Sequence, residues 1–174
     1  MGENLKKVLM IIAPENFRDE ELLHPKEELE RAGASVTIAS TKTTPVRGVL
    51  GAAITPDVKL DQVKVGDYDA VVFVGGSGAS SYFNDSRALS IASEAFKKGK
   101  VTCAICIAPV TLANAGVLDG KQATVWDGNL IKRIESKGAK YVAKPVVMDG
   151  KIITANGPAA AREFGRAIAK ALKG

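Results

Sequence analysis

Val101-Thr102-Cys103-Ala104-Ile105-Cys106-Ile107-Ala108-Pro109 is the stretch that decides the fold. Residues 101–105 read as a buried strand. Pro109 suits a first helical turn, where its missing N–H has no intrahelical partner to lose. Cys106 therefore sits on a sharp strand-to-helix turn, with the small residues Ala104 and Ala108 two positions to either side. This is the nucleophile-elbow logic of G-x-S-x-G, with Ala in place of Gly and Cys in place of Ser. A side chain there is expected to point into solvent at the carboxyl edge of a sheet. The amides that open the following helix favour an anion, which predicts a lowered thiol pKa.

Outward from the elbow, apolar runs alternate with helical patterns. Val8–Ile12 and Ala70–Val74 are continuous apolar runs, as in strands covered on both faces. Ser35–Ala39 reads as a further strand. Helical patterns span residues 18–32, stopped by Gly33, and 86–98, stopped by Gly99. In the second, Leu89, Ala92 and Phe96 are expected to share the buried face. A helix from the elbow reaches about Ala115. Pro45–Pro56 suggests a small hairpin. Asp149-Gly150 between apolar flanks predicts another over 146–154, and Pro158 opens the last helix. Strands interleaved with helices predict an α/β fold, a mostly parallel sheet with helices on both faces. In such sheets ligands bind beyond the carboxyl ends of the strands. Glu15–Glu21, Gly75-Gly76 and Cys106 all fall there.

A chain of 174 residues with 46% hydrophobic and 25% charged residues is ordinary for one globular domain, here taken as 1–174. No apolar stretch approaches the roughly 18–20 residues that span a bilayer, so no membrane partner is expected. Met1–Lys7 is charged and runs into a strand, unlike a signal peptide. Two cysteines make no disulfide framework, and the expected compartment is the cytoplasm. The net charge of +5 comes with only 5% aromatics and no recognisable nucleic-acid-reading module, so nucleic acid is not an expected partner. Arg162, Arg166 and Lys170 read as the solvent face of a C-terminal helix that buries Phe164, Ile168 and Leu172. Lys97, Lys98 and Lys100 read as a solvated helix end. Cys103 and Cys106 are spaced C-x-x-C, but an extended segment places them about 10 Å apart, beyond the roughly 7 Å reach of a disulfide. Cys103 is expected to be an inert core residue. No P-loop, zinc spacing or dinucleotide fingerprint is present, and no cofactor is expected.

The elbow Ala104-Ile105-Cys106 with Pro109, Gly75-Gly76 after an apolar strand, and an acidic first helix containing Pro25 together resemble the DJ-1/PfpI family. The likeness runs from Val8 to the C-terminal helix. It implies a flavodoxin-like three-layer sandwich of the class I glutamine amidotransferase-like group. It also implies a homodimer or higher homo-oligomer, through the first-helix side. In the family a glutamate four residues before a helical proline hydrogen-bonds the elbow cysteine; here that residue is Glu21. It stands among Glu15, Asp19, Glu20, Glu27 and Glu28, which read as surface acids. Pro25 cannot donate to the carbonyl four residues earlier, so it frees the Glu21 carbonyl. Gly75, Gly76 and Ile107 are candidate donors of oxyanion-binding amides.

The chain departs from the family at several points. Peptidase-like members carry histidine directly after the cysteine, where this chain has Ile107. The histidine of the DJ-1-like branch is replaced by Trp126, expected as pocket wall. His24, the one histidine, precedes Pro25 and is either a pocket residue or a partly buried surface group. Arg18 stands where relatives often have glutamate. Asn156-Gly157-Pro158 replaces an Arg-containing turn, with Asn156 expected at the pocket rim.

The resemblance then implies a cysteine-dependent enzyme acting on small reactive carbonyls, of glyoxalase III or deglycase type, through Cys106 thiolate and Glu21. An oxidation-sensing, chaperone-like stress protein with little catalysis is the alternative. A PfpI-type cysteine peptidase comes third, because no Cys-His pair is in view.

Overall fold

The computed structural model describes residues 5–174; Met1–Asn4, part of the charged lead-in, lie outside the described residues. In chain order the elements are β1 (Lys7–Ile11), α1 (Asp19–Arg31), β2 (Ser35–Ser40), β3 (Val46–Arg47), β4 (Ala53–Ile54), β5 (Val58–Lys59), β6 (Ala70–Phe73) and α2 (Ser86–Lys97). Then follow β7 (Val101–Ile105), α3 (Pro109–Asn114), β8 (Gln122–Ala123), α4 (Asn129–Glu135), β9 (Lys140–Tyr141), β10 (Val146–Asp149), β11 (Ile152–Ala155) and α5 (Ala161–Lys173).

The central sheet runs β10-β11-β7-β6-β1-β2-β5. Every neighbouring pair is parallel except β10 with β11, which closes as the hairpin expected around Asp149-Gly150. Alternation along β1 explains the layers. Leu9 and Ile11 pack with Ala88, Ile91, Val110, Leu112 and Ile134 from α2, α3 and α4 on one face. Val8 and Met10 pack with Leu22 and Leu29 of α1 and with Phe164, Ile168 and Leu172 of α5 on the other. Both faces are covered, which is why these strands are apolar throughout. No helix among the described residues is long and apolar enough to cross a membrane.

The chain leaves β1 for β2 on one side and returns through β6 and β7 on the other. The carboxyl ends of β1, β6 and β7 thus converge where the strand order reverses. β3 and β4 form the small hairpin expected from Pro45–Pro56, apart from the main sheet.

Four expectations need correction. The buried face of α2 is Ala88, Ile91, Ala92 and Ala95, while Phe96 is exposed. Alanines let this helix approach the sheet, and Phe96 instead lies beneath the Lys121 ammonium, 5.7 Å from its ring centre. Pro158 opens a short 3-10 turn, Pro158–Ala160, before α5 begins. The basic stripe of α5 is more than a solvated face. Arg162 Nη1 donates to Glu28 Oε2 at 2.9 Å, and Arg166 Nε lies 3.4 Å from Glu28 Oε1. Glu28 is 7% exposed, so it is not the surface acid expected; it ties α1 to α5, and the Arg162 hydrogen bond holds its carboxyl below the usual range.

Candidate active site

Cys106 adopts φ 66°, a left-handed conformation that costs a β-carbon-bearing residue energy and that the surroundings must impose. Its amide donates to Ala155 O at 2.9 Å, and the Trp126 amide donates to its carbonyl at 2.8 Å. β11 and the loop after β8 therefore grip the turn from both sides. Ala108 N closes on Ile105 O at 3.1 Å and α3 starts at Pro109, as the helix-opening proline suggested.

The Cys106 side chain does not stand in solvent. Cys106 is only 9% exposed, at the floor of a pocket of about 360 Å³. The pocket is lined by Arg18, Glu21, Val49, Gly76, Ser77, Cys106, Ile107, Trp126 and Pro158. The amides of Gly76 and Ile107 approach the sulfur closely enough to favour its thiolate. Gly76 reaches this position with φ 106°, and a β-carbon on it would lie 2.5 Å from Asn16 O and 2.6 Å from Phe17 C. Only glycine lets the loop after β6 pass so close to the loop after β1.

Glu21 comes from the first turn of the helix that starts at Asp19, and its residue is wholly buried. Neither carboxyl oxygen has a fully formed hydrogen bond. The Cys106 thiol and the Gly75 amide approach closely enough to influence its charge, as does the Arg18 guanidinium. Burial outweighs all three and pushes the Glu21 carboxyl up to about 8. Glu21 is therefore mostly protonated at neutral pH.

The thiol moves against expectation. The Gly76 and Ile107 amides do favour the thiolate, but burial and the neighbouring Glu21 charge win and push Cys106 up to about 12. The two groups form one titrating pair that keeps both protons at pH 7 and loses the first near 8.

Gly75 was expected beside Gly76 and Ile107 as an oxyanion donor. Its amide instead faces Glu21. A β-carbon on Gly75 would run into Glu21 Oε1 and lie 2.5 Å from Cys106 Cβ and 2.8 Å from Ile105 O. Gly75 is thus the floor on which acid and thiol meet.

Trp126 lines the pocket, while 48% of it remains exposed. Its indole lies over Gly157, where a β-carbon would stand 2.7 Å from Cζ3. Asn156 does not line the Cys106 pocket; it faces an adjoining groove on the far side of Trp126. His24 lines neither cavity and sits half-buried on α1. Arg18 is at the rim, its Nε donating to Glu20 Oε1 at 2.7 Å, so the guanidinium arrives already neutralised by Glu20. Cys103 is buried and free, with its thiol pushed far up by desolvation, as an inert core residue should be.

Asp19 went unrecognised in the sequence. It is buried, and its carboxylate accepts from Leu50 N at 2.9 Å and Ala52 N at 2.8 Å. Val49 N also donates to Phe17 O at 2.9 Å. These bonds clamp the β3–β4 hairpin over the start of α1 and bring Val49 into the pocket. The one local signal was an acid at a helix start, which reads equally well as a dipole partner.

The sequence profile described as the DJ-1/PfpI family matches residues 6–171. A deglycase of Pyrococcus horikoshii is 34% identical over 96% of this chain and 99% of its own. A glutathione-independent glyoxalase of Caenorhabditis elegans is 31% identical over 97% of this chain and 90% of its own. The crystal structure of a ThiJ/PfpI domain protein from Brachyspira murdochii superposes with a TM-score of 0.94 at 29% identity, covering 98% of each chain.

Proposed function

The chain belongs to the DJ-1/PfpI family, and from that premise we propose that it is an enzyme that converts small α-oxoaldehydes, free or as adducts, to hydroxy acids with no bound cofactor. The observation that carries this reading is the wholly buried Glu21 carboxyl, without a formed hydrogen bond, set against Cys106 on a left-handed elbow. A carboxylic acid kept neutral at pH 7 is poised to give and take protons. The names of the deglycase and glyoxalase relatives point the same way.

With methylglyoxal, the pair reacts from its singly ionised form: Glu21, which loses its proton first, takes the Cys106 proton and leaves a thiolate beside protonated Glu21. The sulfur attacks the aldehyde carbon and a C–S bond forms. The carbonyl electron pair moves to oxygen, which takes the Glu21 proton, giving a hemithioacetal. The Gly76 and Ile107 amides, already turned to this corner, stabilise the developing oxyanion. Glu21, now ionised, removes the C–H proton of the former aldehyde carbon and returns it to the neighbouring carbon, while the hydroxyl proton passes to the neighbouring carbonyl oxygen. One carbon is oxidised as the other is reduced, leaving a 2-hydroxy thioester. Water hydrolyses it to lactate and frees Cys106. The test is lactate formation from methylglyoxal by the wild type and by Cys106→Ala. Equal rates would sink the reading.

The same donors favour a second reading, in which oxidised Cys106 is the functional state. A sulfinate would find two amides and a protonated carboxyl around it. Mild peroxide followed by intact mass should then add two oxygens at Cys106 alone. A peptidase finds less support, since no histidine lines the pocket. A homodimer through the first-helix side belongs to the proposal. Leu23 on α1 and Val49 and Leu50 on the clamped hairpin offer exposed apolar surface there. Sedimentation velocity giving a monomer at micromolar concentration would remove it.

A further inference from the structure

α1 and α5 run side by side but end at different heights. They cross closely at Gly165, where a β-carbon would lie 2.7 Å from Pro25 Cα. α1 then stops at Arg31, while α5 continues to Lys173. Ala169 already borders Ala32 and Gly33, past the end of α1. A trough of about 300 Å³ opens there, between the last turn of α5, the turn into β2 and the approach to β1. Leu5, Ala34, Ala169 and Leu172 give it an apolar lining, and Leu5 is 62% exposed within it. It lies at the amino ends of β1 and β2, whereas Cys106 follows the carboxyl end of β7. A second cavity of about 280 Å³ shares Ala32, Ala169 and Lys173 with the trough and forms its mouth. Arg31, Arg166, Lys170 and Lys173 line that mouth, with Glu28 the one acid among its described residues. Glu28 holds Arg31 Nη1 at 3.1 Å and Arg166 Nε at 3.4 Å, so both guanidiniums are fixed with N–H donors to spare. Lys170 and Lys173 have no acidic partner among the described residues. The carbonyl ends of α1 and α5 each bring about half a negative charge. Four cations against these and Glu28 leave the mouth positive.

We propose that the trough and its basic mouth bind a single-chain amphiphilic anion, an acyl carboxylate. Its head meets Arg31, Arg166 and Lys170, and its chain lies along Ala169, Leu172 and Leu5. Charge and polarity select this occupant together. A small inorganic anion would leave the apolar trough wet, and a neutral chain would leave the cations of the mouth without a partner. The apolar side chains line a recess instead of a projecting face, which suits one chain better than a bilayer. Neither Glu21 nor Cys106 borders either cavity, so the site goes beyond the carbonyl chemistry proposed above and does not rest on it.

The alanines of the trough report on it directly. The protein, with isotope-labelled alanine methyls followed by NMR, should be titrated with octanoate, butyrate and octanamide. Octanoate is expected to move the Ala32, Ala34 and Ala169 signals and to leave Ala108, beside the elbow, unmoved. It should saturate at a concentration about tenfold or more below butyrate, because each methylene withdrawn from water strengthens binding about fourfold. Octanamide has the same chain without the charge and should need about tenfold more than octanoate. Lys170→Gln/Lys173→Gln should narrow the gap between octanoate and octanamide about threefold or more. Neither lysine has an ion pair to lose among the described residues, so the fold and methylglyoxal turnover should stay as they are. Equal titrations of octanoate and butyrate would overturn the trough. An octanoate preference unchanged by the double substitution would overturn the basic mouth. Co-sedimentation with phosphatidylglycerol vesicles, without alanine shifts on adding octanoate, would make this face a membrane surface. Alanine shifts that follow protein concentration alone would make it a contact between copies. Either of these last results removes the site.

Discussion

Glu21 and Cys106 meet over the bare backbone of Gly75, where any β-carbon would strike the Glu21 carboxyl and crowd Cys106 Cβ. Gly75→Ala should therefore damage both the acid and the thiol at once. Ile105 O, 2.8 Å from the same position, is backbone and cannot yield cheaply. Overpacking of this kind costs about 1–3 kcal/mol. Thermal unfolding should show it, and methylglyoxal turnover should fall further than stability alone explains. Gly66→Ala is the control: its β-carbon would meet only the flexible tip of Lys98, at 3.6 Å.

Burial of Glu21 makes stability depend on pH. Its folded pKa, about 8, lies above the ordinary glutamate value of 4.5. Between these values the folded state holds a proton that the unfolded state has released. The stabilisation is full below about 4.5 and is lost as pH rises through 8, with a limiting slope of about 1.4 kcal/mol per pH unit. Glu21→Gln cannot titrate. Urea unfolding across pH 5 to 9 should show the wild type losing stability relative to Glu21→Gln. Parallel curves would show that Glu21 is already ionised at pH 5.

How far the sequence reveals all this depends on distance along the chain. The apolar runs of β1, β6 and β7, the elbow, Gly75-Gly76 and the Asp149-Gly150 turn are local signals, and each stands where local chemistry puts it. Residues 116–145 carry only two-residue strands and the seven-residue α4, too short for any periodicity to register. In α2 the bulk of Leu89 and Phe96 outweighs the alanines that in fact touch the sheet. The site errors share one cause. Burial is a through-space property, so the helix-start amides next to Cys106 were visible while the desolvation that overrides them was not. Asp19 and Glu28 looked like surface acids for the same reason; their partners lie 31 and 134 residues away.

The titration of the pair should govern reactivity. Activity needs the singly ionised form, so methylglyoxal turnover should rise with pH up to about 8 and then level off. Glu21→Gln should abolish that inflection together with most of the rate. The two cysteines should also differ under iodoacetamide. Cys106 opens to the pocket, whereas Cys103 is sealed in the core with its thiol pushed far up. Peptide mass mapping should find Cys106 alkylated, increasingly so above pH 8, and Cys103 untouched until the protein is unfolded. Equal labelling of both in the folded protein would contradict this arrangement.

Asp19 should act on the pocket through the hairpin it holds. Its carboxylate takes two backbone amides, Leu50 N and Ala52 N, and it fills the space over Gly48 where a β-carbon would otherwise sit. Asp19→Ala removes the acceptor and leaves both amides to find water. Hydrogen bonds to a charged group contribute about 1.5–3 kcal/mol, and part of that stability should be lost. The functional consequence falls on Val49, which borders the Cys106 pocket one residue before the clamped amide. With the hairpin loosened, Val49 no longer closes that side. KM for methylglyoxal should rise several-fold while kcat changes less, because Glu21 and Cys106 are held by other elements. Asp19→Asn keeps one acceptor oxygen and should restore part of the affinity. A fall in kcat with KM unchanged would place Asp19 in the chemistry instead of in the scaffold.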